Sequence, residues 1–360
     1  MDRLLSALER PPTLKRRDFL KLSIAAILPA LAGACKRGPK VREINFFNWS
    51  NYIGKKTVPE FEKATGIKVN YEMFSDEDEM FAKLRTGVHG YDLMVSDDYQ
   101  VAKLAALRLI EPIPEGKVRG LDNLEKRFLN PPYDPGLKYT VPYLWGTTGI
   151  GFNTKYVKRP TTWKVLWDET YKGRMTMLDN VRDGIGCALM TLGLPTDTDK
   201  QEHLDQAKEL LIKQRPLIKH YTSATYVDEL VSAESWICQG WSGDVMQAVR
   251  ENPQVDYTIP DEGSFMYVSS LVLPAASEHR DEALEFINYS LQPEVAAEIS
   301  NTVGFATPNA KAREFLTPAL LNDTRVFPDA KTAARLRFYG TLTPETEELW
   351  ARTWQEVKVS

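Results

Sequence analysis

Aromatic and acidic side chains follow two predicted strands in the first third of the chain. Trp49, Ser50 and Tyr52 come directly after one strand, and Asp97 and Tyr99 come after another. In open α/β sheets, ligands bind beyond the carboxyl ends of the strands. An aromatic face attracts an organic cation, and a carboxylate accepts charge-assisted hydrogen bonds from an ammonium group. The pattern therefore predicts a site for an organic ammonium compound, although a core tryptophan and helix-capping aspartates would give the same sequence.

The same pattern recurs in the middle of the chain. One predicted strand leads into Asp183, and a later strand ends in Trp241 and leads into Asp244. The segment 240–244 is similar to a nucleophile elbow, but its last residue is an aspartate where that motif needs glycine. These residues favour a second set of ligand contacts over a catalytic serine.

The sequence contains no recognisable catalytic or metal centre. The acidic run 76–78 follows Ser75 and is typical of the first turn of a capped helix, where acids oppose the positive end of the helix dipole. The glycines of 144–153 lack the G-x-G-x-x-G spacing of a dinucleotide loop. We therefore expect no enzyme, no cofactor and no bound metal. The four histidines are scattered without cysteine or acidic partners at metal-ligand spacing: His89, His203, His220 and His279.

Hydrophobic periodicity predicts alternating strands and helices. This order implies a parallel, right-handed, doubly wound sheet, with a glycine-rich extended segment crossing between two lobes. The predicted strands cover 43–49, 67–73, 91–95, 139–142, 144–153, 176–178 and 236–241. The predicted helices cover 56–65, which ends at Gly66, a segment after Ser75, 101–107, a segment running to Leu192, and 245–250.

The composition indicates an ordinary folded protein. The chain has 360 residues, of which 43% are apolar and 26% charged, and its formal net charge is -4. This length suggests two domains of about 150 residues each. The apolar fraction excludes disorder as the main state. Nucleic-acid binding is not expected without a basic excess, and no stretch of the body is apolar enough to span a bilayer.

The amino terminus has the order of an export signal. Basic residues precede an apolar run over 22–31, and small residues lead to Cys35. Arg16 and Arg17 before Phe-Leu-Lys are similar to a twin-arginine signal, and the cysteine after small residues is similar to a lipoprotein box. We therefore exclude 1–34 from the fold and expect a lipid on Cys35, on the outer side of a bacterial inner membrane. A plain signal peptide with a chance cysteine is the alternative.

Two further cysteines, Cys187 and Cys238, remain after the signal. In an oxidising compartment they are able to form a disulfide, whereas as separate thiols they would behave as small buried apolar groups. The sequence leaves both arrangements open.

Six segments, in order and spacing, resemble one protein family. They are FFNWSNY at 46–52, EMFAKL at 79–84, YDLMV at 91–95, VPYLWG at 141–146, TPN at 307–309 and FPDA at 327–330. Together they look like the spermidine/putrescine-binding proteins of bacterial ABC importers, and the likeness covers 42–360. The resemblance implies an α/β, two-lobe periplasmic binding protein of type II, the Venus-flytrap architecture, with hinge strands between the lobes. Lobe 1 would comprise 41–146 plus 267–312, and lobe 2 would comprise 147–264 plus 317–360.

The resemblance also implies a ligand-binding set, within which some positions depart from the family. Asp183 stands where the family usually has glutamate, Ser269 where an acid holds an amine, and Asp97 where serine is common. Aromatic side chains stand at three further positions of the implied pocket: Tyr267, Phe305 and Tyr339. The positions that match family contacts are Trp49, Ser50, Tyr52, Tyr99, Trp241 and Asp244.

The function that the resemblance implies is capture of putrescine or spermidine by a monomeric periplasmic protein. Three carboxylates, those of Asp97, Asp183 and Asp244, would hold the ammonium groups, and the closed form would be presented to the permease subunits of an ABC transporter. The alternatives are the same fold binding another cationic or zwitterionic solute, and a ligand sensor. An anion or iron carrier and an exported enzyme have less support in the residues.

Overall fold

A computed structural model describes residues 42–74, 77–86 and 90–360 of the chain. The predicted export signal, Cys35 and the Ser75 cap lie outside the described residues. Within these ranges, no helix combines the length and the apolar character needed to cross a bilayer.

Eleven strands in the described part of the chain form one sheet. They are β1 (Glu43–Trp49), β2 (Lys68–Phe74), β3 (Leu93–Asp97), β4 (Ile110–Glu111), β5 (Thr140–Asn153), β6 (Met175–Met177), β7 (His220–Tyr221), β8 (Ile237–Trp241), β9 (Val255–Thr258), β10 (Ser264–Pro274) and β11 (Leu336–Phe338).

Helices flank the strands along the chain. The α-helices are α1 (Thr57–Thr65), α2 (Glu77–Thr86), α3 (Asp98–Ala106), α4 (Val181–Leu192), α5 (Gln201–Gln214), α6 (Tyr226–Val231), α7 (Ser242–Glu251), α8 (Arg280–Ser290), α9 (Pro293–Val303), α10 (Pro318–Leu321), α11 (Ala330–Ala333) and α12 (Pro344–Val359). Short 3₁₀ helices cover Leu121–Asn123, Lys126–Phe128, Trp163–Trp167, Glu169–Tyr171 and Ala310–Phe315.

The sheet is mixed, with parallel groups at its two ends. Its order is β2-β1-β3-β10-β5-β8-β6-β7, while β4 and β11 also pair with β10, and β9 pairs with β5. β1 is parallel to β2 and β3, and β6 is parallel to β7 and β8. β10 and β5 are antiparallel to each other, and they join the two parallel groups through β3 and β8. The predicted parallel order is therefore confirmed for the first three strands, but not for the centre of the sheet.

Most predicted elements of the first half are confirmed, with some ends shifted, but the segments predicted separately over 139–142 and 144–153 form one strand, β5. α1 ends at Gly66, which has the left-handed φ of 70° predicted for a helix stop. β3 covers Leu93–Asp97 rather than 91–95, because its pairing with β10 extends to Asp97 opposite Ser269. α3 begins at Asp98 rather than at 101, since its first turn is polar and its apolar stripe starts later.

Two long strands, β5 and β10, form the centre of the sheet. Every residue of both strands is buried. Gly146 pairs with Tyr267, and a Cβ at Gly146 would lie 2.3 Å from the Tyr267 hydroxyl oxygen, so only glycine leaves room for that ring. Residues 42–360 form one compact unit. Both strands run through the predicted lobe limits at 146/147 and 264/267, which remain predictions.

The carboxy-terminal helix supports the start of α4. α12 packs on α4 and α5. Trp350 of α12 donates from Nε1 to the carbonyl oxygen of Thr198 at 2.9 Å. A Cβ at Gly184 would lie 2.4 Å from the ring of Trp354, so that ring lies directly against the first turns of α4. This contact fixes the position of Asp183, the neighbouring residue.

Cys187 and Cys238 are separate, buried thiols. The structure therefore corresponds to the second of the two arrangements that the sequence left open. Burial raises the pKa of both thiols, to about 12 for Cys238, which makes the reactive thiolate scarce at neutral pH.

One buried acid connects β1 to the segment before α8. Oδ1 of Asp92 accepts hydrogen bonds from Ser277 Oγ at 3.0 Å, from the Glu278 amide at 3.0 Å and from the His279 amide at 2.9 Å. Its Oδ2 accepts from the Asn45 amide at 2.9 Å. Asp92 thus satisfies four donors at once.

Replacing Asp92 by alanine should lower the free energy of unfolding by about 3 kcal/mol, because several buried donors would lose their acceptor. Urea unfolding followed by circular dichroism measures this loss. Asp122→Ala is the matched control, since the Asp122 side chain is 81% exposed. Equal stability of the two variants would contradict the structural role assigned to Asp92.

Candidate functional site

Four carboxylates lie at the beginnings of helices that follow strands. Asp97 ends β3 and Asp98 begins α3, while Asp183 and Asp244 lie in the first turns of α4 and α7. The amino-terminal end of a helix carries a partial positive charge that stabilises anions. Local folding therefore places each acid where its charged form is least unfavourable. We call these four residues the acidic group.

The first member of the acidic group is part of a hydrogen-bond chain across two strands. Asp97 lies directly opposite Ser269 in the pairing of β3 with β10. Ser269 Oγ donates to Asp97 Oδ1 at 2.5 Å, and the Tyr52 hydroxyl lies 3.0 Å from Ser269 Oγ. Because the serine has one proton and gives it to the carboxylate, Tyr52 is the donor to Ser269. These two hydrogen bonds therefore orient the Asp97 carboxylate through Ser269 of β10 and Tyr52 of the loop after β1.

Asp183, another member of the acidic group, accepts hydrogen bonds from three side chains. Oδ1 of Asp183 accepts from Tyr339 Oη at 2.6 Å and from Thr148 Oγ1 at 2.7 Å. Its Oδ2 accepts from Trp241 Nε1 at 3.2 Å. These donors come from β5, from the end of β8 and from the segment after β11. Asp183 therefore ties together three parts of the chain that are far apart in sequence.

Asp244 has a partner that the sequence analysis did not identify. Tyr226 Oη donates to Asp244 Oδ2 at 2.6 Å. The Tyr226 ring also meets the ring of Trp241 edge to face, with the centroids 6.2 Å apart. The residues around 226 carry no motif, so no signal in the sequence indicated this contact. Thr148 was missed in the same way, because it lies within a uniformly buried strand.

Aromatic rings surround the acidic group. Tyr52 contacts Phe305 edge to face at 4.7 Å between centroids. The ring centroids of Tyr99 and Tyr339 are 5.5 Å apart, and the Tyr339 ring stacks on that of Phe265 at 4.3 Å. Such rings can pack against methylene groups and attract ammonium groups.

Not every predicted residue contacts this cluster. The Trp49 ring packs on Phe74 at 4.4 Å, and Ser50 hydrogen-bonds the Phe74 carbonyl oxygen through its amide at 3.1 Å. Within the described ranges, neither residue hydrogen-bonds a member of the acidic group. Their role as ligand contacts therefore remains a prediction, whereas six predicted residues are joined by direct hydrogen bonds: Tyr52, Asp97 and Ser269 in one chain, and Asp183, Trp241 and Tyr339 in another.

The acidic group has no cationic partner among the residues that the structure describes. No lysine, arginine or histidine there forms an ion pair with any of its four members. In the same ranges, no donor reaches Asp97 Oδ2 or Asp244 Oδ1, and both residues keep a partly accessible surface. These two oxygens can therefore accept hydrogen bonds from a bound molecule.

Burial dominates the electrostatics of the acidic group. It raises the pKa of Asp97 to about 6, against the opposing effect of the Ser269 hydroxyl and with a further increase from the charge of Asp183. Burial also raises the pKa of Asp183 and of Asp244, while their hydroxyl donors act in the opposite direction. The pKa of Asp98 is raised well above its usual range by burial and by the charge of Asp97. A cation in this space would stabilise the charged forms.

One arginine acts on this site from a distance. Arg182 donates to the Gly340 carbonyl oxygen at 2.8 Å and lies over the rings of Tyr339 and Trp350, at 5.6 and 5.2 Å from their centroids. Its charge lowers the pKa of Asp183 without an ion pair. The guanidinium therefore offsets part of the negative charge of the acidic group and leaves its oxygens free for other donors.

Replacing Asp97 by asparagine should stabilise the ligand-free protein at pH 7.5. The folded-state pKa of about 6 exceeds the unfolded value of about 3.9, so the stability contributed by this group is present below about pH 4 and is lost as the pH rises through 6. Asparagine removes that loss, and we expect a gain of about 1–2 kcal/mol at pH 7.5.

Urea unfolding of the parent and of Asp97→Asn at pH 5.0 and 7.5 measures the effect. The parent should lose more stability than the variant between the two pH values. A variant that is less stable than the parent at pH 7.5 would contradict an incompletely compensated carboxylate at this position.

Comparisons with known proteins identify the family and the fold. Residues 56–328 match the family described as bacterial extracellular solute-binding protein. The chain is 33% identical to the spermidine/putrescine-binding periplasmic protein of Escherichia coli K12, over 86% of this chain and 90% of that protein. It is 30% identical to the putrescine-binding periplasmic protein SpuD of Pseudomonas aeruginosa, over 95% of this chain and 98% of that protein.

A solved structure extends the likeness to the fold. A putative spermidine/putrescine ABC transporter protein from Listeria monocytogenes superposes with a TM-score of 0.82 at 31% identity, covering 88% of this chain and 99% of that chain. The α/β binding-protein fold that the sequence resemblance implied is thereby confirmed. The chain belongs to the family of bacterial extracellular solute-binding proteins.

Proposed function

We propose that this protein binds a linear polyamine, putrescine or spermidine, and delivers it to an ABC importer. The observation that carries the proposal is the acidic group itself, four carboxylates held among aromatic rings with no cationic partner in the described part of the chain. The names of the relatives, which refer to spermidine and putrescine, support the same ligand class.

The energetics favour a ligand with more than one positive charge. Removing a carboxylate from water costs several kcal/mol unless it is paired and hydrogen-bonded. Hydroxyl donors and helix ends offset part of this cost, and Arg182 contributes one positive charge nearby. A diammonium or triammonium chain would supply the missing charges, while its methylene groups would pack against rings such as Tyr52 and Tyr339.

The site is suited to binding rather than to catalysis. Its hydroxyl groups donate to carboxylates, and Tyr52, Tyr226 and Tyr339 have pKa values raised well above the usual range by burial. We infer capture by closure around the solute, followed by presentation to permease subunits of the transporter.

Another cationic or zwitterionic solute is the second candidate, and the exchange of an acid for Ser269 favours it. The serine is uncharged and faces Asp97 and Tyr52. An amino-acid derivative would need fewer carboxylates than a triamine. A sensor that signals ligand binding to a partner would share the same site.

Calorimetric titration of the purified, ligand-stripped protein tests the ligand class. Putrescine and spermidine should give saturable heat, whereas an amino acid and a dicarboxylate should not. Asp244→Asn should weaken polyamine binding by at least about 100-fold, because loss of one partner of a buried ion pair costs about 3 kcal/mol or more, and each 1.4 kcal/mol is about a factor of ten. Asp122→Asn, at an exposed position, is the control. Unchanged affinity in Asp244→Asn, or heat from the amino acid alone, would contradict a polyamine carrier.

The amino-terminal segment and Cys35 determine where we expect the protein to act. We propose a monomeric protein exported by a twin-arginine signal and anchored to the membrane by a lipid on Cys35. Replacing Cys35 by alanine should move the exported protein from the membrane fraction to the soluble periplasmic fraction, since the lipid would supply the hydrophobic attachment. Fractionation and immunoblotting of parent and variant measure this. A variant that stays in the membrane fraction would exclude the anchor.

A further inference from the structure

A buried tyrosine, Tyr226, contacts two residues of the site, Asp244 and Trp241. Tyr226 is 1% exposed, so it is enclosed by protein rather than open to a ligand. Its hydroxyl donates to Asp244 Oδ2 at 2.6 Å, and its ring lies against Trp241. Within the described ranges, Asp244 has no other side-chain donor. The orientation of this carboxylate therefore depends on one hydroxyl group.

The geometry of that hydrogen bond fixes which oxygen is available. A phenol has one proton, and Tyr226 gives it to Oδ2 of Asp244. The carboxylate cannot rotate freely without losing this bond. Oδ1 is therefore held as the acceptor for an incoming ammonium group.

The helix that carries Tyr226 is held in place by a charged network around Glu229. Glu229 of α6 accepts hydrogen bonds from Thr225 Oγ1 at 2.8 Å, Lys219 Nζ at 2.9 Å and Ser235 Oγ at 3.0 Å, and it lies 2.8 Å from His220 Nε2. Burial alone would raise the pKa of Glu229, but these donors lower it to about 2. A helix of six residues has little stability of its own. The network therefore fixes the position from which Tyr226 reaches Asp244.

The glycines of the 240–244 segment fit the same arrangement. A Cβ at Gly240 would lie 2.8 Å from a ring carbon of Tyr226. A Cβ at Gly243 would lie 2.2 Å from the ring of Phe305. Gly240 thus leaves space for the Tyr226 ring, and Gly243 leaves space for the Phe305 ring. These contacts account for the two glycines of a segment that is similar to a nucleophile elbow in the sequence.

We propose that Tyr226 is a positioning residue for ammonium binding, acting through Asp244 and without touching the ligand. This proposal rests on the proposed polyamine function. Loss of the hydroxyl would leave the ring packing in place but free the carboxylate to rotate. It would also remove the donor that stabilises the charged form of Asp244 in its buried surroundings.

The test compares Tyr226→Phe, Asp244→Asn and the double variant, in the full mature protein. Calorimetric titration with putrescine from pH 6 to 8 should give about tenfold weaker binding for Tyr226→Phe. As the pH is lowered, the affinity of this variant should begin to fall at a higher pH than that of the parent. In the Asp244→Asn background, the same change should alter the affinity less than twofold. Tyr221→Phe is the matched control, because the Tyr221 hydroxyl is buried with no hydrogen-bond partner among the described residues and its ring packs on Trp354.

The proposal would be overturned if Tyr226→Phe bound putrescine as tightly as the parent does. It would also be overturned if Tyr226→Phe weakened binding equally in the parent and in Asp244→Asn, because a merely structural role would affect both proteins alike. A ligand-independent readout separates this failure from failure of the polyamine function. In a carbon-13 NMR titration of the aspartate carboxyl groups, the midpoint of Asp244 should move to higher pH in Tyr226→Phe. An unchanged midpoint would overturn the positioning role even if polyamines bind. A moved midpoint in a protein that binds no polyamine would refute the proposed ligand alone.

Discussion

The structure depends on holding several carboxylates inside the protein without an ion-pair partner among the residues that the structure describes. A buried carboxylate is stable only when donors and dipoles replace the water that it has lost. Here the replacement comes from the amino-terminal ends of α3, α4 and α7, and from the hydroxyls of Ser269, Tyr226 and Tyr339. The compensation is incomplete, as the raised pKa of Asp97, about 6, indicates. An incompletely compensated set of acids is a site that gains stability when a cation enters.

The central strands determine which acids meet. β5 and β10 are antiparallel and fully buried, and they bring the end of β3 close to the end of β8. Ser269 of β10 faces Asp97, while Thr148 of β5 donates to Asp183. The close approach of Gly146 to Tyr267 allows the two strands to pair at this point without displacing the ring. A shift in this register would separate the acids and remove the site.

Local sequence patterns predicted those site residues whose position follows from the strand or helix that carries them. The alternation of strand and helix placed Asp97 and Trp241 at strand ends, where the structure has them. The beginnings of α3 and α7 were predicted three residues late, because polar first turns carry no hydrophobic periodicity. Tyr226 could not be predicted, since its importance comes from one contact with a residue 18 positions away. The family resemblance supplied the residues after β10, which no local pattern would have assigned to the site.

The exchange at 97 and 269 that the resemblance implies would keep the charge of the site while moving it. The resemblance implies an acid at 269 and a serine at 97, and this chain has the reverse. Because the two positions are directly opposite each other on neighbouring strands, the exchange moves a carboxylate by about one strand spacing, roughly 5 Å. The serine then becomes the donor that orients the displaced acid, and Tyr52 completes the chain. The total negative charge is unchanged, so a cationic ligand would still be favoured. The ammonium position nearest β10 would instead lie closer to β3, which changes the spacing that a bound amine must match.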